Sequence, residues 1–277
     1  MPDNFQLFRL SLVERSQDDM FPEPNVTDRE SYLRYIFTTK WEYDHRGSTF
    51  HFIPAPHLSA SDGLMGKFGR AVTVEENTSP DQGFEDVLRP GWKAAVLVID
   101  PVNHADGQKV AVQHDPKVGS PGAILDSFID FIARRHPSAP FVIKAEPIFN
   151  ADTFWEFAAE NRGEITTVTF EFVVPNGLWN AETDLKDELR EARELVKAQK
   201  VVATFKSQDG LETDSPQIKE AVDYVEKGSG EVTAKSKRGK RFSSKNKPKR
   251  TILHDNPDDP EPLIVRAARQ IAKVLGK

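Results

Sequence analysis

The chain of 277 residues contains no cysteine. This absence excludes disulfides, thiolate nucleophiles, iron–sulfur clusters and every zinc site with cysteine ligands. Long apolar runs are also missing, because the longest ones, such as Ala94 to Ile99, are far shorter than the ~20 residues of a membrane-spanning helix. The first residues, Met1 to Asn4, lack the basic and apolar stretches of a secretory signal. These absences lead us to expect a cytoplasmic protein that is not inserted in a membrane.

Basic residues are scarce outside one short segment. Residues 235–250 contain nine Lys or Arg and no Asp or Glu, and without them the chain has 28 basic and 43 acidic residues, a net charge of −15. We call this segment the basic strip. Its cations are Lys235, Lys237, Arg238, Lys240, Arg241, Lys245, Lys247, Lys249 and Arg250. A cationic segment in an acidic protein is typical of contact with a polyanion, because each neutralised phosphate releases counterions.

Two other interpretations of the basic strip remain open. The strip can be a solvated loop whose charges keep the protein soluble, or it can bind an acidic partner, including the acidic remainder of its own chain. Phe242 is the only aromatic residue in the strip. Without a series of aromatic side chains for base stacking, the strip predicts phosphate contacts rather than recognition of a base sequence.

The hydrophobic pattern predicts strands and helices in mixed order. Alternating residues and short apolar runs predict strands, and apolar residues three or four apart predict amphipathic helices. Predicted strands cover residues 8–12, 49–53, 68–74, 94–99, 109–113, 141–145, 168–174 and 201–205, with a last one from 232 into the basic strip. Predicted helices cover residues 28–38, 120–135, 151–160, 181–198, 215–228 and 263–275. Thr27 and Glu30 fit a capping box at the first helix.

This element order predicts an α+β fold of mixed, largely antiparallel sheets with flanking helices, since no regular βαβ period with a glycine-rich first turn appears. The breaker-rich segment His136 to Pro140 divides the chain into two predicted halves. We predict an N-terminal α+β half over residues 1–137 and a C-terminal α+β half over residues 138–277, with the basic strip as a finger. Residues 242–248, within that finger, are expected to be disordered.

Motifs for catalysis are missing from the sequence. The histidines form no HExxH pair, and no Gly-x-Ser-x-Gly nucleophile elbow occurs. A group around the predicted hairpin (Asp100, His104, Asp106, His114 and Asp115) holds metal-ligand side chains, but its members are better explained as turn and strand-end residues. We therefore expect no metal, no cofactor and no catalytic residue. Asp100, Glu146 and Glu171 lie on or beside predicted strands, and a nuclease site would need such acids to meet at a strand edge.

One stretch of the second half has a recognisable order of elements. Over residues 139–253 a strand and helix precede a strand ending in Pro175-Asn176, then a charged helix, a strand, a helix and a strand starting at Gly230-Glu231-Val232. This order resembles the RexA-like phage-exclusion family and a set of uncharacterised bacterial proteins from prophages and defence islands. The resemblance implies an anti-phage protein of the abortive-infection type that binds DNA with little sequence preference. It also implies a homodimer and a second partner protein from the same operon.

Together, the residues and the resemblance favour a non-enzymatic bacterial defence protein. We expect it to bind nucleic acid, DNA rather than RNA, with the basic strip as the main phosphate contact. One alternative is a metal-dependent nuclease or toxin-like enzyme. Another is a protein-binding module that recognises an acidic phage or host protein.

Overall fold

A computed structural model describes residues 3–14, 28–55, 63–104, 107–173 and 200–253, together with positions 191, 195, 198, 265, 270, 271 and 274. These residues form twelve strands in two antiparallel sheets and four α-helices. The predicted α+β class is confirmed. None of the helices in the described part of the chain is long and apolar enough to cross a membrane.

The larger sheet has eight strands. Its strands are β1 (Asp3–Glu14), β2 (Trp41–His45), β3 (Ser48–Pro54), β4 (Leu64–Asn77), β5 (Asp86–Asp100), β6 (Gln108–Gln113), β7 (Phe141–Pro147) and β12 (Arg250–Leu253). They are ordered β12-β1-β6-β5-β4-β3-β2, and β7 pairs with β1 beside β12. All pairs are antiparallel, so the predicted hairpin of residues 94–99 and 109–113 is confirmed as β5 and β6.

The smaller sheet has four strands in the order β11-β10-β8-β9. Its strands are β8 (Ile165–Val173), β9 (Lys200–Lys206), β10 (Gly230–Ser236) and β11 (Arg241–Ser243). The helices are α1 (Arg29–Thr38), α2 (Pro121–Arg135), α3 (Asp152–Glu160) and α4 (Pro216–Glu226). Single 3₁₀ turns cover Pro80–Gln82 and Ser244–Asn246.

Three groups of buried side chains hold these layers together. Helices α1 and α2 cover one face of the large sheet, where Phe128 contacts Phe37, Phe52 and Phe68. The opposite face buries a smaller apolar cluster around Phe5, with Ile271 packed against it. Helices α3 and α4 cover one face of the small sheet. The other face of the small sheet is therefore the one on which polar side chains of its strands can collect.

The sheets do not separate at the predicted boundary. Strands β7 and β12 both follow residue 137 in sequence, yet both pair with β1. The reason is that β1 is a twelve-residue strand whose second edge needs hydrogen-bonding partners along most of its length. The division into an N-terminal and a C-terminal half stays a prediction, but the change from one sheet to the other comes after β7.

The capping box of α1 begins one residue later in the structure than the sequence predicts. Asp28 is the N-cap, its carboxylate accepts from the Ser31 backbone N–H, and the Ser31 hydroxyl accepts from the Asp28 N–H. In the described part of the chain Asp28 and Ser31 therefore hold the positions that the sequence assigned to Thr27 and Glu30, one residue later. Thr27, most of the predicted helices 181–198 and 263–275, and Pro175-Asn176 lie outside the described residues.

Candidate nucleic-acid interface

The basic strip divides between the two sheets. Lys235 lies in β10, the turn between β10 and β11 carries Lys237, Arg238 and Lys240, and Arg241 opens β11. Beyond the 3₁₀ turn the chain crosses to the large sheet, where Pro248 bridges to Phe149 and Arg250 opens β12. The nine cations therefore do not form one finger.

The prediction of disorder for residues 242–248 is wrong. Phe242 is buried, and its ring lies 5.5 Å from that of Phe154 and 5.6 Å from that of Phe157, both on α3. The Ser244 hydroxyl is also buried and accepts from the Val232 backbone N–H at 3.1 Å. One aromatic anchor and one buried hydroxyl order a segment whose composition alone is polar.

Three cations of the strip pair with carboxylates of the same chain. Arg238 lies 2.7 Å from Glu164, Lys245 lies 2.8 Å from Glu231, and Lys249 lies 3.6 Å from Glu226. The other six are exposed and have no carboxylate within 4.0 Å among the residues that the structure describes. They are Lys235, Lys237, Lys240, Arg241, Lys247 and Arg250. Most of the positive charge thus remains available to a partner.

No helix of the described residues packs on the other face of the small sheet, and cations lie there in one row. Side chains that are opposite each other in neighbouring strands lie on the same face. The register places Lys206 of β9, Thr167 of β8, Lys235 of β10 and Arg241 of β11 side by side. At about 4.8 Å between strands, this row spans roughly 14 Å. We call it the cationic row.

A row of hydroxyls lies beside the cationic row. It consists of Thr204, Thr169, Thr233 and Ser243, one from each strand. The hydroxyls of Thr169 and Thr204 are 3.2 Å apart, and Ser243 donates to Glu231 at 2.9 Å. A shallow cavity of about 410 Å³ opens between the two rows, lined by Thr167, Thr233, Lys235, Arg241 and Ser243 among others. We call the two rows together the open face.

Carboxylates follow the hydroxyls at the next position along the strands. Glu171 and Glu231 are opposite each other in β8 and β10, and each is bonded to a lysine, Glu171 to Lys200 and Glu231 to Lys245. The hydrogen bond from Lys200 lowers the pKa of Glu171, and the one to Glu231 raises the pKa of Lys245. This end of the face is therefore made of paired charges, whereas the cationic row is positive.

Of the three acids considered for a nuclease site, Glu146 and Glu171 lie near each other, and Asp100 lies elsewhere. Glu146 on β7 is close enough for the charges of Glu171, Lys200 and Lys245 to affect it; burial raises its pKa, and the two lysines oppose that rise. Asp100 instead lies at the end of β5, where its carboxylate is 2.7 Å from His104 Nε2. Within the described residues no group of three or more His, Asp or Glu side chains is placed to hold a metal ion.

Several residues of the open face are not predicted from the sequence as site residues. Lys206 and the row of hydroxyls lie on strands that are distant in sequence, and only the pairing register brings them beside Lys235 and Arg241. The available signal was the alternation of Thr with apolar residues in β8, since Thr167 and Thr169 face away from the buried Val168 and Phe170. Such alternation identifies a polar face but does not identify its neighbours.

Comparison of the chain with protein-family models, with curated proteins and with solved structures gave no match.

Proposed function

We propose that this protein binds nucleic acid, DNA in the first place, with little sequence preference, by placing the sugar–phosphate backbone across the open face. The observation that carries the proposal is the juxtaposition of Lys206, Lys235 and Arg241 with four neighbouring hydroxyls. Lysine, arginine and hydroxyl side chains are the groups that contact phosphate oxygens most often in protein–DNA complexes.

The surroundings of the open face give the ligand an orientation. The exposed turn residues Lys237 and Lys240 extend the positive surface beyond the cationic row. In the opposite direction Glu171 and Glu231 repel phosphates, although their lysine partners moderate this repulsion. We therefore expect the polyanion to follow the cationic row across the strands rather than to run along them.

The composition of this face also argues for contact with the backbone. No aromatic side chain occurs at the described positions of the two rows, so bases have no platform on which to stack. Affinity that comes from phosphate contacts is independent of sequence and falls steeply as salt is added.

Two triple variants with equal loss of charge test the proposal. One removes the cationic row (Lys206→Gln, Lys235→Gln, Arg241→Gln), and the other removes the end of the basic strip that lies at the large sheet (Lys247→Gln, Lys249→Gln, Arg250→Gln). We expect the first to weaken binding of unrelated duplexes at least about tenfold and to reduce the slope of log K against log salt by about 2 to 3. The second is the matched control and should change the affinity less than threefold or so.

Fluorescence anisotropy titrations at several salt concentrations measure both quantities. Equal losses in the two variants would show that only net charge matters and would overturn the assignment to the open face. Absence of binding by the wild-type protein at low salt would overturn the proposal as a whole.

We also propose that nucleic-acid binding serves phage exclusion of the abortive-infection type. The support is the similarity in element order to RexA-like proteins over residues 139–253. Plating of phages on bacteria that express the wild-type chain or the cationic-row variant tests this role. Protection by the wild type that is lost in the variant is the expected result, and equal plating on both strains and on a host without the protein would contradict it.

A further inference from the structure

The β4–β5 hairpin extends well beyond the sheet to which it belongs. Strands β4 and β5 pair from Leu64–Ile99 to Asn77–Asp86, but β3 pairs only with residues 66–70 and β6 only with residues 97–100. Residues 71–93 therefore form a two-stranded arm with no further strand beside it among the described residues. At about 3.4 Å per residue, the paired part of the arm is roughly 24 Å long. Two isolated strands are at best marginally stable in water, so such an arm points to a partner.

Large apolar side chains are exposed along the arm. Trp92 is 67% and Leu88 is 69% exposed. Both lie on the same face of β5, with Pro90 between them, and this face continues into the sheet through Ala94. A soluble monomer seldom exposes a continuous apolar stripe of this kind without a binding function.

The inner end of the stripe widens into a groove of about 440 Å³. Its walls include His51, Ile53, Gly69, Trp92 and Ala94, and nearly all of its lining surface is apolar. The rings of His51 and Trp92 meet at an angle of 66° with their centroids 5.4 Å apart, so Trp92 forms one side of this groove.

Charge is distributed unequally along the arm. The outer part, residues 75–89, contains five acidic residues and one basic residue. The base contains the basic residues Lys67, Arg70 and Lys93, and no acidic residue occurs at positions 64–70 of β4 or 92–96 of β5. On the apolar face itself, Lys67 lies at the base and Glu75 on the outer part. Both are exposed, and neither has an oppositely charged side chain within 4.0 Å among the described residues.

From this arrangement we propose that the arm binds a second copy of the same chain, face to face and antiparallel, around a two-fold axis. Ala71, which is opposite Trp92, lies four residues from Lys67 and four from Glu75. A two-fold axis through the Ala71–Trp92 pair therefore brings Lys67 of each copy to Glu75 of its partner. The two Trp92 side chains meet near the axis, and Leu88 of each copy packs toward the groove of the other.

Self-association fits this surface better than another partner does, because the surface complements itself. A two-fold interface uses the same patch on both copies, so a charge in it is paired when the opposite charge lies at an equal distance on the other side of the centre. Pairing through the free edge of β5 is disfavoured, because Pro90 has no backbone N–H to donate there. The inference does not depend on the proposed binding of nucleic acid.

Sedimentation equilibrium of the full chain between about 1 and 100 μM tests the proposal. The wild type should have twice the mass of one chain over the upper part of this range, and Trp92→Ser should reduce it to that of a monomer. Val202→Ser removes an apolar side chain of similar exposure from the small sheet, and this control should leave the dimer intact. Circular dichroism of each variant verifies that it is folded.

A charge exchange makes the test specific for the antiparallel geometry. Lys67→Glu and Glu75→Lys should each weaken the dimer at least about tenfold, because each places like charges opposite one another. The double variant, with both changes, should recover most of the affinity. A monomeric wild type throughout the range, a dimer that Trp92→Ser does not weaken, or a double variant weaker than both single ones would overturn the proposal.

Discussion

Glu146 and Glu171 show how one neighbourhood shifts two carboxyl groups in opposite directions. Burial dominates at Glu146 and raises its pKa, whereas the hydrogen bond from Lys200 dominates at Glu171 and lowers its pKa. By linkage, Glu171 stabilises the fold above the ordinary pKa of a glutamate, and this contribution is lost as the pH falls through its lowered value. The contribution of Glu146 is complete below the ordinary pKa and is lost as the pH rises through its raised value.

The two glutamine variants should therefore diverge with pH. Relative to the wild type, Glu171→Gln should lose stability as the pH rises from about 4 to 7, by no more than about 1 kcal/mol because the pair is partly exposed. Glu146→Gln should gain stability relative to the wild type over the same range. Urea unfolding at a series of pH values measures both differences, and parallel profiles for the two variants would contradict this account.

At the scale of the element, substitutions in the row of hydroxyls on the open face test the contribution of hydrogen bonds to binding without changing the charge. Replacing Thr169 and Thr233 by Val keeps the β-branched shape and leaves the buried face of the small sheet unchanged. We expect the double variant to bind DNA about thirtyfold more weakly, since two hydrogen bonds are lost and each contributes on the order of 1 kcal/mol. The salt dependence should stay that of the wild type, because no cation is removed.

Anisotropy titrations with the same duplexes used for the cationic-row variants measure this effect. Full affinity in the double variant would show that the hydroxyls do not contact the ligand. A reduced salt slope would show instead that the substitutions had displaced Lys235 or its neighbours.

The elements themselves were largely readable from the sequence, whereas the site was not. Alternation in β8 and the Ser215-Pro216 start of α4 depend on local rules, and both predictions are confirmed. The cationic row depends on which residue of β9 stands opposite Thr167, and a shift of one residue would turn Lys206 to the other face. The order of residues 242–248 depends on the distant α3, which no local rule includes.

At the scale of the whole molecule, β12 closes the large sheet against β1. Leu7 donates its backbone N–H to Lys249 at 3.2 Å, and Gln6 is opposite Arg250. Because hydrogen-bonded and non-bonded pairs alternate in antiparallel sheets, the N–H of Thr251 points toward β1 and that of Ile252 points away. The two neighbouring positions therefore provide a matched pair.

Thr251→Pro should destabilise the fold by at least about 1 kcal/mol, because it removes a ladder hydrogen bond to the strand on which β6, β7 and β12 all pair. Ile252→Pro should destabilise it much less, since proline is tolerated where an edge N–H faces solvent. The free energy of unfolding in urea gives both values. Equal losses would mean that proline disturbs β12 through its ring rather than through the hydrogen bond.

The change from one sheet to the other could not be located from the sequence, for a reason of the same scale. The breaker segment from His136 to Pro140 ends α2 as expected, but β7 after it returns to β1. A breaker marks the end of an element and does not show which strand edge is still unpaired. That information belongs to the long-range pairing of β1.

The pairing of β1 with β12 has a consequence for synthesis of the protein. Asp3 is opposite Leu253, so β1 must wait for a strand that is translated 250 residues later. Until then the nascent chain exposes part of a β-strand edge that is competent to join other chains. We expect chaperones that shield strand edges to raise the yield of native protein.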